Sequence, residues 1–400
     1  VTLRRILDLT CCAAEFHDDR VQLLHPSKGN IVIFIEGDKT LVKWRSALVA
    51  GTRSVGLFDF QPVSVIGQGR WGRVLVARRK SAERKKTSTL TSSVEIDGGL
   101  STLVAVKEII LSEQHKLSHI IQERTVGQHL SPHPFVTNLQ ASFRVGACLY
   151  LVSDFMQGGD LFTYLSNNRI SLHTAIVYSA EVLLALEHLH SHDVIYRDLK
   201  PENVLVGPAG HLKLADMGLA KKLSSHSAIT NTFCGTDSYL APEVIRHKGH
   251  GKSVDFWQFG CFLFELYTGK SPFWKPKHER GGLYRCITRG EFFMPANIPE
   301  EVQSGSSALL KVRVEERLGC DGSGWSTVKH LKYFESMSTW DSQELFRQTV
   351  PQVRQCDNLA LVIQRNFHDS FTSVSAEWSS WDKFPEHLNE EMLLGFEYNV

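Results

Sequence analysis

The run Asp198-Leu199-Lys200-Pro201-Glu202-Asn203, followed thirteen residues after Asn203 by Asp216-Met217-Gly218, brings together the residue types that phosphoryl transfer requires. That chemistry needs a carboxylate to orient an acceptor hydroxyl and take its proton. It also needs oxygen ligands for Mg2+ and cations over the transferring phosphate. Asp198 supplies the first, and Asn203 and Asp216 the second. Lys200 supplies the third, together with Lys107 at the end of the apolar run Val104-Ala105-Val106. Five role-bearing residues in this order and spacing leave little room for coincidence. Glu123, sixteen residues beyond Lys107 in the amphipathic stretch 117–130, is placed to pair with that lysine and hold it against the α- and β-phosphates of a nucleotide. The competing reading of Lys107 is a surface lysine whose stem lies over apolar neighbours.

Upstream, Gly67-Gln68-Gly69-Arg70-Trp71-Gly72-Arg73-Val74 reads GxGxxGxV between two strand-like runs, 63–66 and 74–77. Glycines at this spacing let backbone amides close over phosphates. The motif is weak alone, and a plain glycine-rich hairpin competes with it. A dinucleotide-binding fold would need a helix directly after the glycines, where this chain continues as a strand.

The elements that must position these residues fall into a strand-rich block followed, from about residue 172, by a helix-rich one. This order predicts an α+β fold of two lobes with a cleft between them. At 400 residues the chain is long enough for about two or three domains. With 42% apolar residues and a net charge of 44 − 43 = +1, it is neither disordered throughout nor a generic nucleic-acid binder driven by phosphate neutralisation. Eight scattered cysteines without a CxxC offer no obvious zinc ligands and fit a reduced, intracellular protein. No segment approaches the roughly 18 to 20 apolar residues needed to span a bilayer. The first residue is Val1 rather than Met, as in a fragment whose start is missing. The polar stretch 80–102 reads as a long exposed connection between strands.

With these motifs in place, the chain from Phe58 to Val400 resembles a eukaryotic protein kinase. Ala241-Pro242-Glu243 resembles the triplet that closes the activation segment, Asp255-Phe256-Trp257-Gln258-Phe259-Gly260 the DxWxxG motif, and Arg317 the arginine that pairs with Glu243. Thr232-Phe233-Cys234-Gly235-Thr236 and an aromatic tail resemble the AGC group of cyclic-nucleotide-dependent, B-type and C-type kinases. The resemblance implies a small β-rich lobe at 58–155, a helical lobe at 156–334 and a regulatory tail at 335–400 that wraps them. It implies ATP and Mg2+ as cofactors, and a nucleotide site built from Gly67, Gln68, Gly69, Gly72, Val74, Ala105, Lys107, Ser153, Asp154, Met156, Asp160 and Phe367. The catalytic residues are then Asp198, Lys200, Asn203, Lys107 and Glu123, with Asn203 and Asp216 as the metal ligands. A pseudokinase scaffold or nucleotide-gated interaction module is the alternative from another class. Such proteins usually lack one of Lys107, Asp198, Asn203 or Asp216, and all four are present.

Regulation follows residue by residue from the same resemblance. A phosphate on Thr232, placed by an upstream kinase, would meet Arg197, Lys221 and His119 unless these are three unrelated surface cations. Asn366-Phe367-His368-Asp369-Ser370-Phe371 resembles the tail segment that crosses the nucleotide cleft, and Leu393 to Tyr398 the hydrophobic motif that docks on the small lobe. Glu397 stands where most members carry a phosphorylated residue. Ser379 or Ser380 is placed for a further tail phosphate.

Asp160, Glu202 and Glu265 match positions that hold substrate arginines, and each could instead be a structural or solvated acid. Together with Lys200-Pro201-Glu202 they imply Ser/Thr acceptors in protein substrates with upstream basic residues. Four departures from the family stand out: Met217 for Phe, Asp237-Ser238 for Pro-Glu, and small residues at Ser153 and Gly127. Small or flexible residues at Ser153, Gly127 and Met217 imply room behind the adenine for bulky analogues.

Residues 1–50, with a β-run Ile31 to Ile35 and a helix-like stretch around Trp44, resemble the second half of a pleckstrin-homology domain. A generic extension packing on the small lobe fits them nearly as well. The first reading makes phosphoinositides or a membrane surface a partner. The basic cluster 70–86 would touch an anionic surface, signal nuclear import, or simply be a solvated hairpin. Nucleic acid is not expected as a partner. The expected location is cytoplasmic, with membrane recruitment or the nucleus as further options.

Overall fold

The computed structural model describes residues 13–16, 20–25, 29–34, 55–69, 72–80, 103–111, 117–223, 229–275, 279–348, 350, 358–379, 396 and 398–399. The chain divides into two compact units, 1–117 with 139–155 and 356–400, and 118–138 with 156–355.

The first unit is built on strands. Three of them, β1 (Ala13–Phe16), β2 (Arg20–His25) and β3 (Gly29–Phe34), form an antiparallel meander. The helix-like stretch around Trp44 and the connection 81–102 lie outside the described residues. The main sheet contains β4 (Phe60–Gly69), β5 (Gly72–Arg79), β6 (Leu103–Ile110), β7 (Leu139–Val145), β8 (Cys148–Asp154) and β13 (Tyr398–Asn399), in the order β13-β7-β8-β6-β5-β4.

The period-2 alternation of β6 separates two faces. Val104 and Val106 enter an apolar cluster with Phe60, Phe143 and Tyr150, whereas Ala105 and Lys107 point to the opposite side. The tail belongs to this unit: Phe396 is buried, and Tyr398 and Asn399 pair with Ser142 and Ala141 of β7. That pairing supplies a partner to an otherwise open sheet edge.

The second unit is helical. Its elements include α1 (Leu117–His129, of which Ser118 onward falls in this unit), α2 (Leu161–Asn167), α3 (Leu172–Ser191), α4 (Ser253–Thr268), α5 (Arg280–Arg289) and α6 (Glu300–Leu309). The short strands β9 (Val194–Ile195), β10 (Val204–Val206), β11 (Leu212–Leu214) and β12 (Lys221–Lys222) lie between α3 and α4 in sequence. Ser171 caps α3 by accepting from Thr174 N, and Gly269 ends α4 in the left-handed conformation. Helices α3 and α4 are apolar nearly all round because they form the centre of the unit's core, and Trp257, Phe259 and Phe262 of α4 have essentially no exposed surface. Helix α1 joins this unit through Val126, which enters the same core, and through Gln122 Nε2, which donates to Ala220 O. No described helix is long and apolar enough to cross a membrane.

Candidate functional site

In the helical unit the segment from Tyr196 to Asn203 is suspended from a buried carboxylate. Asp255, at the start of α4 and with no exposed surface, accepts from Tyr196 N at 2.9 Å and Arg197 N at 2.8 Å. It also bonds His190 Nε2 at 2.7 Å. Trp325 Nε1 donates to His190 Nδ1, so the proton that His190 gives Asp255 lies on Nε2. Gln258, one turn along α4, accepts from Leu199 N and donates to Arg197 O. The loop is therefore fixed by main-chain bonds to α4. It holds Arg197 at φ 71°, a left-handed conformation that a non-glycine side chain keeps only when its surroundings enforce it.

The product of this suspension is the environment of Asp198. Lys200 Nζ donates to Asp198 Oδ2 at 2.9 Å and to Thr236 Oγ1 at 2.8 Å, and Thr236 Oγ1 donates to Asp198 Oδ1 at 2.9 Å. Asn203 Nδ2 donates to Asp198 O and Oδ2, each at 2.8 Å. That commitment turns the carbonyl end of Asn203 away from Asp198. Asp216 sits at φ 51°, and its Oδ1 accepts from Gly218 N at 3.2 Å.

Asn203 and Asp216 offer oxygen donors, which suits Mg2+, a cation commonly held by one or two protein ligands together with substrate phosphates. Among the described residues no cluster of three or more His, Cys, Asp or Glu is arranged to hold a metal ion.

The segment from Asp216 to Glu243 follows this loop in sequence. Arg197 Nε donates to Leu219 O, while its Nη1 is buried without a hydrogen-bond partner among the described residues. Lys221 Nζ reaches Thr230 Oγ1 at 2.9 Å, and Thr230 Oγ1 lies 3.3 Å from Thr232 Oγ1. His119 Nδ1 is 3.3 Å from Gly218 O. Burial pushes the Cys234 thiol up, helped by the charges of Asp198 and Asp255 and opposed by those of Arg197 and Lys221. The segment ends at Glu243, whose carboxylate is gripped bidentately by Arg317 Nη1 and Nη2 at 2.7 and 3.0 Å. Burial there acts against ionisation, but Arg317 and Ser253 hold the Glu243 carboxyl below its ordinary range.

The three acids assigned to substrate recognition separate in the structure. Glu265 is nearly buried and accepts from Tyr239 OH at 2.7 Å. Burial first, and the Glu202 charge second, push its carboxyl up to about 7 against the opposing hydrogen bond from Tyr239. Asp160 instead spends both carboxylate oxygens on Thr163, capping α2 through Thr163 N and Thr163 Oγ1 at 2.8 Å each. In this structure those two bonds make it the N-cap of α2.

In the sheet unit, register places Val74 opposite Lys107, Ala105 opposite Ser153, and Lys107 opposite Leu151, so Val74, Ala105, Lys107 and Ser153 share one face. Phe367 packs on that side, stacked on Phe155 at 6.0 Å and grouped with Val76 and Leu103. Asp154 lies on the other face, where Gln140 Nε2 donates to it at 3.0 Å.

The three glycines divide by cause. Gly72 has φ +134°, and a Cβ there would lie 2.0 Å from Glu108 O, so its own sheet demands glycine. At Gly69 a Cβ would meet nothing within 4 Å, and at Gly67 only Val74 at ordinary distance. Among the described residues nothing packs so closely as to require glycine at those two positions, which fits a phosphate group coming close to the backbone. Arg70, Trp71 and Glu397 lie outside the described residues.

Comparison with known proteins agrees with this geometry. The protein kinase domain model matches residues 60–334. The chain belongs to the protein kinase family. It is 34% identical over 326 residues to "Protein kinase 2" of Dictyostelium discoideum, covering 80% of this chain and 64% of that protein. It is 37% identical over 287 residues to "cAMP-dependent protein kinase catalytic subunit PRKX" of Homo sapiens, covering 72% and 74%. It is 34% identical over 333 residues to "RAC-beta serine/threonine-protein kinase" of Rattus norvegicus, covering 82% and 64%. The PRKX and RAC-beta relatives are AGC kinases, and the β-sheet and helical units match the family's α+β lobes. Family members take ATP with Mg2+ as standard. The chain spans just under two thirds of the length of the first and third of these relatives.

Thr236, Gln258 and His190 were not assigned roles from sequence. Thr236 and Gln258 lie inside the runs Thr232–Thr236 and Asp255–Gly260, but their side-chain bonds to Asp198 and to the 196–203 loop appear only once the chain is folded.

Proposed function

We propose that this protein transfers the γ-phosphoryl group of ATP to Ser or Thr hydroxyls of proteins, with basic residues upstream of the acceptor, under control of a phosphate placed on Thr232 by an upstream kinase. The observation that carries this reading is the Asp198 carboxylate, fixed by Lys200, Thr236 and Asn203 on a loop whose backbone is pinned to Asp255. A carboxylate so oriented accepts the proton of the attacking hydroxyl, and Lys200, already within 2.9 Å of it, lays a positive charge where the phosphoryl group passes. Magnesium-bound ATP supplies the phosphoryl group and neutralises its charge, with Asn203 and Asp216 as the residues to hold the metal. Lys107, Val74, Ala105 and Ser153 share the sheet face suited to the nucleotide.

Glu202 and Glu265 support the basophilic preference, since their mutual repulsion is relieved by a cation. The buried, unpartnered Nη1 of Arg197 supports a phosphate on Thr232, because an anion there would satisfy it. The acidic hydrophobic motif around Glu397 extends the proposal to a tail that docks without a second phosphate. The three-stranded meander of β1 to β3 supports, as a further proposal, a pleckstrin-homology-like module whose partner is a phosphoinositide, with a generic extension of the small lobe as its alternative.

The test is γ-phosphate transfer to a basic Ser peptide with Mg2+. Wild type should turn over, and Asp198→Asn should lose about 10²- to 10⁴-fold in kcat. Nucleotide binding by wild type without transfer would instead make the chain an interaction module.

A further inference from the structure

On the sheet face opposite Lys107, three side chains stand side by side in register: Arg73 on β5, Glu108 on β6 and Tyr150 on β8. Glu108 has no exposed surface. Its carboxylate accepts from Arg73 Nε at 2.5 Å, Tyr150 OH at 3.0 Å, Ser379 N at 3.0 Å and Ser379 Oγ at 2.9 Å. Arg73 turns the rest of its guanidinium to the same stretch of tail, donating to Ser375 O at 3.4 Å, to Glu377 O, and to Ser379 Oγ at 3.2 Å. Trp378, between these contacts, sets its ring edge-on to Tyr150 at 5.8 Å and packs on the cluster containing Phe60 and Phe143. A buried carboxylate is tolerated only when its acceptor sites are filled, and here two of the four donors come from Ser379.

We propose that Glu108 is an anion site built into the sheet that binds the tail segment 375–379 through its main-chain amide and hydroxyl, and that Ser379 is the position at which added negative charge releases the tail. The clasp needs no phosphate, because Glu108 itself supplies the anion that bridges Arg73 to Ser379. A phosphate ester on Ser379 would have the opposite effect. Transfer of the γ-phosphoryl of ATP by a protein kinase forms the Oγ–P bond, breaks the bond from the γ-phosphorus to the bridging oxygen, releases ADP, and sends the hydroxyl proton to the kinase's base. The product carries about −1.5 to −2 charges at the place where the hydroxyl now donates to Glu108. Arg73 faces both groups and cannot neutralise them together. This inference stands on the sheet and the tail alone and is independent of the catalytic reading.

The experiment is hydrogen exchange on the full chain, following the tail amides 376–379 and, as an internal control, those of α4. Ser379→Asp should speed tail exchange at least tenfold while α4 is unchanged. Ser379→Ala, which keeps the amide bond to Glu108, should change it by no more than about threefold. Glu108→Gln combined with Ser379→Asp should bring the tail back to within about threefold of wild type, because the repulsion is gone. Unchanged tail exchange in Ser379→Asp, failure of Glu108→Gln to rescue it, or a parallel loss of protection in α4 would each overturn the proposal.

Discussion

The raised carboxyl of Glu265 gives the proposed substrate recognition a pH dependence whose size follows from the structure. With its ordinary value near 4.5 displaced to about 7, Glu265 is about one tenth ionised at pH 6, half at pH 7 and nine tenths at pH 8. A peptide arginine is attracted only to the ionised form, so kcat/KM for a basic peptide should rise by about tenfold from pH 6 to pH 8, as kcat/KM reports the free enzyme.

Stability should move the other way. Between about pH 4.5 and 7 the folded state holds a proton that the unfolded chain has lost, so raising pH through that window removes up to about 3 kcal/mol, and nothing further is lost above it. Opposite slopes for specificity and stability are hard to obtain from any other single group. The assay is initial-rate kinetics from pH 6 to 8 on two peptides that differ only in an upstream Arg or Ala, with wild type and Glu265→Gln. The Arg peptide on wild type should show the tenfold limb. The Ala peptide and the Gln variant should not. Glu202→Gln should shift the limb to lower pH, because the Glu202 charge helps to raise Glu265. If Glu265→Gln keeps the same limb, the assignment of Glu265 to substrate arginine is refuted.

Arg317→Met should strip the buried Glu243 carboxylate of its bidentate partner and cost about 3–5 kcal/mol, lowering Tm of the helical unit by about 10 °C in a thermal melt. Adding Glu243→Leu should restore most of the loss, and a double variant as unstable as the single would show that the charge was not the cause. Gly72→Ala should destabilise the sheet unit by about 2 kcal/mol or more through its φ of +134° and its contact with Glu108 O, whereas Gly69→Ala should leave Tm unchanged and raise KM for ATP. Burial, with the His188 and Lys213 charges behind it, holds His133 down to about 4, so its own contribution to stability, opposite in sign to that of Glu265, should be full above pH 6.5 and fall as pH drops from 6.5 toward 4. In His133→Asn, whose amide oxygen can still accept from Phe135 N, melts at pH 7 and pH 5 should lie closer together than in wild type.

Asp198, Lys200, Asn203 and Asp216 were legible in sequence because their chemistry is local: all lie within nineteen positions, and the short turn Pro201–Asn203 folds Asn203 back onto Asp198. The strand character after Gly72 was legible for the same reason. The supporting shell was not, because it is non-local. Asp255 and Gln258 reach the loop from 58 to 61 positions away, and Ser379 reaches Glu108 across 271, separations that no spacing rule connects. Asp160 shows the reverse case, a carboxylate given a ligand role by motif position whose oxygens are both turned to the first turn of α2.

The two carboxylates that hold the backbone, Asp255 and Glu108, belong to different units and solve the same physical problem. Each is fully buried and accepts from main-chain amides of a segment that has little other regular structure: Tyr196 and Arg197 in one case, Ser379 in the other. Charge-assisted bonds to an amide fix a loop more firmly than neutral ones, and an unfilled buried carboxylate penalises every alternative loop position. The difference lies in the remaining partners. Asp255 is completed by His190 and, behind it, Trp325, all within the core. Glu108 draws its remaining bonds from Arg73 and Tyr150 and from a hydroxyl that can be esterified. The same device is therefore permanent under the 196–203 loop and reversible under the tail.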